Sequence, residues 1–243
     1  MVKNFCGKTD VGLKRNNNQD CFGICEINDD AVLMVVCDGM GGAAGGSEAS
    51  TLACDVFTEH VRENFAASDC KSKLLLEAQM KANEAVCEKA EKVSGLDGMG
   101  TTIVAALYDG KKYTCLWVGD SRIYALTKGA IKQISHDHSF VQALVDSGNI
   151  TSEEAKTHPN RNIITKAIGT MKDIEGDVCE FPDSELDGIL LCSDGLCGYV
   201  EEERICDICN NEDDACKCVE KLVSAANAAG GSDNITVIVH KKK

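Results

Sequence analysis

Ala31-Val32-Leu33-Met34-Val35-Val36-Cys37-Asp38-Gly39-Met40-Gly41-Gly42 sets an unbroken apolar run directly against an aspartate and a glycine-rich turn. Residues 31–37 are rich in β-branched side chains and carry no polar interruption, the pattern of a buried strand. The run is far shorter than the ~20 residues that span a bilayer. From about Ser47 the period changes, and Leu52, Val56, Phe57 and Val61 share one helical face. The same junction of apolar strand and aspartate recurs at Asp120 in LWVGDSR, Asp194 in LLCSDGL and Asp233 in GGSDNITVIV. A fifth aspartate, Asp20, precedes a strand expected over 21–27.

Working outward, a second helix is expected after Ser68, with Leu75, Ala78, Ala82, Val86 and Val93 as its apolar stripe. The middle of the chain reads as strands. Residues 101–108 and 111–118 flank Asp109-Gly110, the dipeptide favoured in a type I′ hairpin. Residues 121–126 and 130–134 form a further expected hairpin. Short helices are expected over 139–147 and from Thr151, where Thr151 and Glu154 match a capping box. Strands return over 174–181 and 188–192, a long helix carries Ala215, Val219, Leu222, Val223 and Ala226, and the last strand covers 234–240. Strands cluster and helices come in separate pairs, which argues for an α+β fold with antiparallel sheet. No Walker-type phosphate loop is present.

A chain of 243 residues with 44% hydrophobic and 26% charged residues can bury a full core. The net charge of −14 disfavours nucleic acid and anionic membrane surfaces as partners. Fifteen cysteines would fit a disulfide-rich secreted domain, but the opening MVKNFCGKTD lacks an apolar signal core, and many cysteines lie inside apolar runs. Reduced thiols in a cytoplasmic protein are therefore expected. Cys206-x-x-Cys209 and Cys216-x-Cys218 have spacings that could hold zinc, although the helix expected there and its acidic surroundings favour inert thiols.

An aspartate at a strand end is ordinarily a turn residue. Five in one domain are harder to explain that way, because converging carboxylates repel. Two at ~4 Å cost about 4 kcal/mol at an effective dielectric of 20. A hard divalent cation removes that penalty, and oxygen ligands suit Mg2+ or Mn2+.

The motifs TDVGLKRNNNQD, VVCDGMGG, GMGTT, LWVGDSRIYAL, DHSF with LVDSGNIT, HPNRNIITKAIG, LLCSDGL and SDNITVIV run from end to end of the chain. In this order they resemble the metal-dependent type 2C (PPM) protein phosphatases, in their compact bacterial-style form. The resemblance implies one catalytic domain over 1–243, built as a central antiparallel β-sandwich flanked by pairs of α-helices in four αββα layers. It also implies a mobile flap over about 139–162, hydrolysis of phosphoserine and phosphothreonine in proteins, and a serine/threonine kinase whose action is opposed.

Carried over by position, Asp38 would bridge two metals and Gly39 would bind one through its carbonyl. Asp194 and Asp233 would complete one of those sites, Asp120 would serve a third, weaker metal, and Asp20 would hold metal-bound water. Arg15 would grip the substrate phosphate, which a planar guanidinium can meet bidentately. Two tightly bound Mn2+ or Mg2+ ions per monomeric chain are thus expected, and such a pair can activate a shared water. Two positions depart from the pattern. Gln19 stands where some relatives carry glutamate, and Met40 stands where some carry a histidine assigned as general acid. The proton for the leaving group is then left to a metal-bound water or to a nearby histidine, and His136, His138 and His158 lie toward the region between Ser135 and Ala167. Two other readings remain open at this point: a catalytically dead sensor domain and a thiol-rich zinc or redox regulator.

Overall fold

β3 (Val32–Met40) is buried along nearly its whole length. In the computed structural model, which describes residues 4–242, it lies inside a sheet that is covered on both faces. Leu33, Val35 and Cys37 point to one layer and Val32, Met34 and Val36 to the other, as the two-residue period of a strand demands. That double burial is why the run has no polar alternation.

The strand belongs to a sheet ordered β2 (Asp20–Glu26), β3, β5 (Ile103–Tyr108), β6 (Lys112–Val118) and β9 (Asp177–Pro182), with β4 (Gly100–Thr101) beside the end of β3. The second sheet is ordered β1 (Asn4–Asp10), β11 (Ile235–Lys241), β10 (Gly188–Cys192), β7 (Arg122–Thr127) and β8 (Ala130–Gln133). All the pairings are antiparallel. Met34, Val104, Tyr113, Ile123, Leu191 and Ile238 interlock between the sheets. α1 (Gly42–Asn64) and α2 (Lys71–Lys92) cover the first sheet through Phe57, Val61, Leu75 and Val86. α5 (Asp194–Cys197), α6 (Glu202–Asn210) and α7 (Ala215–Ala228) cover the second through Leu196, Ile205, Val219 and Leu222. The four αββα layers expected from the sequence are present. Between β8 and β9 lie α3 (Phe140–Asp146) and α4 (Ser152–Thr157), the latter opened by the capping box of Thr151 and Glu154.

Several expectations need correction. α1 begins at Gly42, before Ser47; its first turns, Gly-Ala-Ala-Gly-Gly, carry no apolar stripe to read, and Gly46 is required there because a Cβ would meet the Gln19 side chain and the Gly39 carbonyl, both at 2.8 Å. The Asp109-Gly110 turn is not type I′. That turn needs two positive φ angles and here only Gly110 (φ 88°) supplies one, while Asp109 accepts from Lys111 N and Lys112 N, both at 3.0 Å. The strand expected over 101–108 breaks at Thr102, whose N–H goes to the Asp38 carbonyl at 2.9 Å. β9 starts at Asp177 because Ile174 and Gly176 are instead fastened to Gln79 of α2. Finally, the cysteines are not all reduced. β1 packs on α7 and brings Cys6 and Cys216 together, their Cα atoms 5.0 Å apart, in a disulfide. The other thirteen are free. The pairing also breaks up the four-thiol zinc arrangement. Cys209 and Cys218 face each other at 3.8 Å, whereas Cys206 turns to the Gly129 carbonyl.

Candidate active site

Asp20 and Asp38 are register partners across β2 and β3. Asp194 opens α5 with only Ser193 between it and β10, and only Asn234 separates Asp233 from β11. The sandwich thus brings strand ends from both sheets to one edge. Asp38 is fixed through its backbone: its N–H donates to Thr102 Oγ1 at 3.0 Å, and its carbonyl accepts from Thr101 Oγ1 and Thr102 N, both at 2.9 Å. Thr102 Oγ1 is in turn 2.7 Å from Ser121 Oγ. Gly39 donates to the Gln19 carbonyl at 3.1 Å, and a Cβ there would fall 2.0 Å from the Gly46 carbonyl oxygen. Only glycine fits at this crossing of β3 over α1. Gln19 helps hold it, with its side-chain amide donating to Gly42 O at 2.7 Å and its carbonyl accepting from Ser50 Oγ at 2.6 Å.

The Asp20 carboxylate is half-engaged. Its Oδ2 accepts from Ser193 Oγ and Thr236 Oγ1, each at 2.7 Å, while Oδ1 is buried without a hydrogen-bond partner. Asp194 Oδ1 is orphaned in the same way. Burial, and then the neighbouring aspartates, make ionisation costly. Burial with help from Asp194 and Asp233 pushes Asp20 up to about 7, against the hydrogen bonds from Thr236 and Ser193. Burial and Asp194 push Asp120 up to about 8. Burial and Asp233 push Asp194 up to about 6, and a hydrogen bond from Asp38 works the other way. Asp38 lies well above the usual carboxylate range through burial and then through Asp20, Asp194, Asp120 and Asp233.

Arg15 stands at the rim, half exposed, with its guanidinium 2.8 Å from Asp233 Oδ2. Asn234 secures the loop that carries it: its Nδ2 donates to Val11 O and Asn17 O at 3.0 and 2.9 Å, and its Oδ1 accepts from Gln19 N at 2.8 Å. Asn234, Ser193, Thr236 and Thr102 were not singled out from sequence, although each lies inside or beside a quoted motif. The histidines are engaged elsewhere. His138 accepts from Gly119 N at 3.1 Å and meets Asp177 at 3.0 Å, which steadies the turn before Asp120. His136 pairs with Asp146 at 2.8 Å, and the His158 ring accepts from Asn160 N at 3.1 Å.

The arrangement suits hard cations. Among the described residues no three acidic, histidine or cysteine side chains already stand at ligand spacing, but two orphaned carboxylate oxygens and several buried carboxyls that resist ionisation are what a pair of divalent ions would satisfy.

Known proteins resemble this chain in sequence and in fold. A family model described as Protein phosphatase 2C matches residues 13–237. The serine/threonine phosphatase stp of Listeria welshimeri is 36% identical over 235 residues, covering 96% of this chain and 93% of its own. The structure of serine/threonine phosphatase Stp1 from Staphylococcus aureus matches with a TM-score of 0.91 at 35% identity, over 100% of this chain and 96% of that one. The catalytic domain of PstP, solved in complex with two manganese ions, matches with a TM-score of 0.85 at 32% identity, over 98% and 96% of the two chains.

Proposed function

This chain belongs to the protein phosphatase 2C family, and from that starting point we propose how its own residues divide the work. It is a metal-dependent serine/threonine phosphatase acting on phosphoproteins, with manganese as a metal it uses. We assign Asp38 to bridge two cations, the Gly39 carbonyl to one of them, and Asp194 and Asp233 to complete a site. Mg2+ is the alternative occupant. Asp120, beside Asp194, is assigned to a third and weaker ion. The observation that carries this assignment is the buried, partnerless pair Asp20 Oδ1 and Asp194 Oδ1.

When bound, the cations supply a water of lowered pKa and positive charge against the phosphoryl oxygens. The protein's residues do the rest. Arg15 exchanges its ion pair with Asp233 for the substrate phosphate, which its fork can grip at two oxygens. Asp20, held by Ser193 and Thr236, keeps Oδ1 available to orient water by accepting its proton. His138 is committed to Gly119 and Asp177, and Met40 has no proton to give, so water donates to the leaving alkoxide. Phe140 and Ile163, exposed at the base of the flap over 139–162, are assigned to meet the substrate polypeptide. Lys156 ties this segment to Glu201 at 3.0 Å.

No helix among the described residues is long and apolar enough to cross a membrane. A monomeric, single-domain cytoplasmic enzyme that opposes a serine/threonine kinase completes the proposal. Chelation with EDTA should abolish hydrolysis of a phosphothreonine peptide and Mn2+ should restore it. Undiminished turnover in a metal-free sample would sink the assignment.

A further inference from the structure

We propose that Cys6–Cys216 is a reversible redox modification site that sets the metal affinity of the Asp233 end of the active site. The inference rests on the assignment of Asp233 as a metal ligand.

The disulfide joins two segments that both lead to the site. From Cys6, β1 runs through Asp10 to the loop carrying Arg15. From Cys216, α7 runs to the Gly230-Gly231 turn and Asp233. The two segments are linked like rails. Next to the disulfide, Asn4 donates to Asp213 O at 2.7 Å and accepts from Ala215 N at 2.9 Å. Midway, Asn227 reaches Asp10 at 3.3 Å. Near the far end, Leu13 N and Lys14 N both donate to Gly231 O, at 2.7 and 3.1 Å, and the last rung is the Arg15–Asp233 ion pair. The covalent rung therefore ties together the same two segments whose far ends carry Arg15 and Asp233 at the rim of the catalytic centre.

Its surroundings favour reversibility. Cys216 is exposed in the first turn of α7, while Cys6 is only half-buried. Exposed disulfides are the labile and regulatory ones, and buried ones resist reduction. The same chain keeps thirteen free cysteines, among them Cys209 and Cys218 at 3.8 Å, a composition suited to a reducing environment where disulfides are transient.

The chemistry is exchange with a small-molecule disulfide such as oxidised glutathione. The Cys216 thiolate attacks one sulfur of the oxidant, forming a mixed disulfide and releasing one glutathione thiolate. The Cys6 thiolate then attacks Cys216 Sγ, closing the protein bond and releasing the second. Two protein thiols lose two protons and two electrons, and one glutathione disulfide becomes two thiols. Reduction runs the same steps backwards, with glutathione thiolate entering at the exposed Cys216.

The test uses the full chain equilibrated in oxidised or reduced glutathione and then freed of it. Differential alkylation with peptide mapping should show Cys6 and Cys216 protected only after oxidation. Calorimetric titration with Mn2+ should then show binding about three- to tenfold weaker in the reduced chain, below the 10–100-fold typical when a direct partner of a ligand is removed. Cys6→Ser and Cys216→Ser should lose this redox response, and Cys209→Ser should keep it. Alkylation of Cys6 and Cys216 in the oxidised chain would overturn the proposal. So would equal Mn2+ affinity in both redox states, which leaves the metal assignment standing. Failure to bind Mn2+ in either state would overturn both.

Discussion

At one end of β11, Asp233 joins a group of buried or half-buried carboxylates whose oxygens are in part unanswered. At the other end of the same strand, His240 is just as polar and just as enclosed, yet it is answered. Its Nδ1 lies 2.9 Å from Tyr113 OH, aromatic rings of Phe5, Tyr108 and Tyr113 surround it, and Lys242 pairs with Asp183 at 2.9 Å beside it. Burial, with a smaller push from Lys242, lowers His240 to about 4, so the ring is neutral and needs no counter-charge. Both ends sit in one sandwich with similar packing. The difference is that one end is finished by protein atoms and the other keeps carboxylate oxygens that no protein atom meets. Partnerless buried atoms occur singly elsewhere, as at Thr58 and His60, but two carboxylate oxygens left so within one cluster of aspartates mark where the chemistry is done.

The largest expected effect comes from breaking the unfinished end. Asp38→Asn should cut kcat by well over about a hundredfold, beyond the usual loss for a residue that merely supports a ligand. It should leave the metal-free chain no less stable, because it removes a charge that burial and its neighbours disfavour. Tyr113→Phe at the finished end should do the reverse, costing about 1 kcal/mol of stability with turnover unchanged. Denaturant melts paired with peptide hydrolysis would separate the two. Equal losses of activity from both changes would erase the contrast between the ends.

Titration sharpens it further. Asp194, Asp20 and Asp120 sit at about 6, 7 and 8, above an unfolded value near 4. Such raised carboxyls stabilise the fold below the unfolded value, and that stability is lost as pH rises through the folded ones. His240 has the opposite sign. Its stability is present above the unfolded value of about 6.5 and is lost as pH falls towards 4. The melting temperature of the EDTA-treated chain should therefore fall between about pH 4 and pH 8. Saturating Mn2+ should remove most of that alkaline loss and leave the acid limb untouched.

A smaller effect is expected at the rim. Arg15→Ala should raise KM for a phosphothreonine peptide more than it lowers kcat, since the side chain meets the phosphate in the ground state as well. Steady-state kinetics would decide this, and an unchanged KM would remove Arg15 from its place as phosphate clamp.

The sequence was most readable where burial was most complete. β3 announced itself because both of its faces are covered, and Asp38 because nothing but a charge interrupts that run. The five aspartates were visible for the same reason, each set against apolar strand. Their supports were harder to read. Asn234, Ser193 and Thr236 act through hydrogen bonds across the fold, and a small polar residue beside an aspartate reads locally as turn. Asp109-Gly110 misled because a carboxylate can fasten a turn without entering the left-handed region. The Cys6–Cys216 bond was beyond any local pattern, since its partners are 210 residues apart and meet only once α7 packs on β1.

The most direct test of the account is calorimetric titration of the EDTA-stripped chain with Mn2+, run at about pH 7 in buffers of different ionisation enthalpy. If Asp38, Asp194 and Asp233 are the ligands and Asp20 holds the water beside them, two ions bind per chain and protons leave as they do, because Asp20 and Asp194 are only partly ionised beforehand. Asp194→Asn should abolish at least one of the two binding events. Two-ion binding that survives unchanged in Asp194→Asn, with no proton released in wild type, would contradict it.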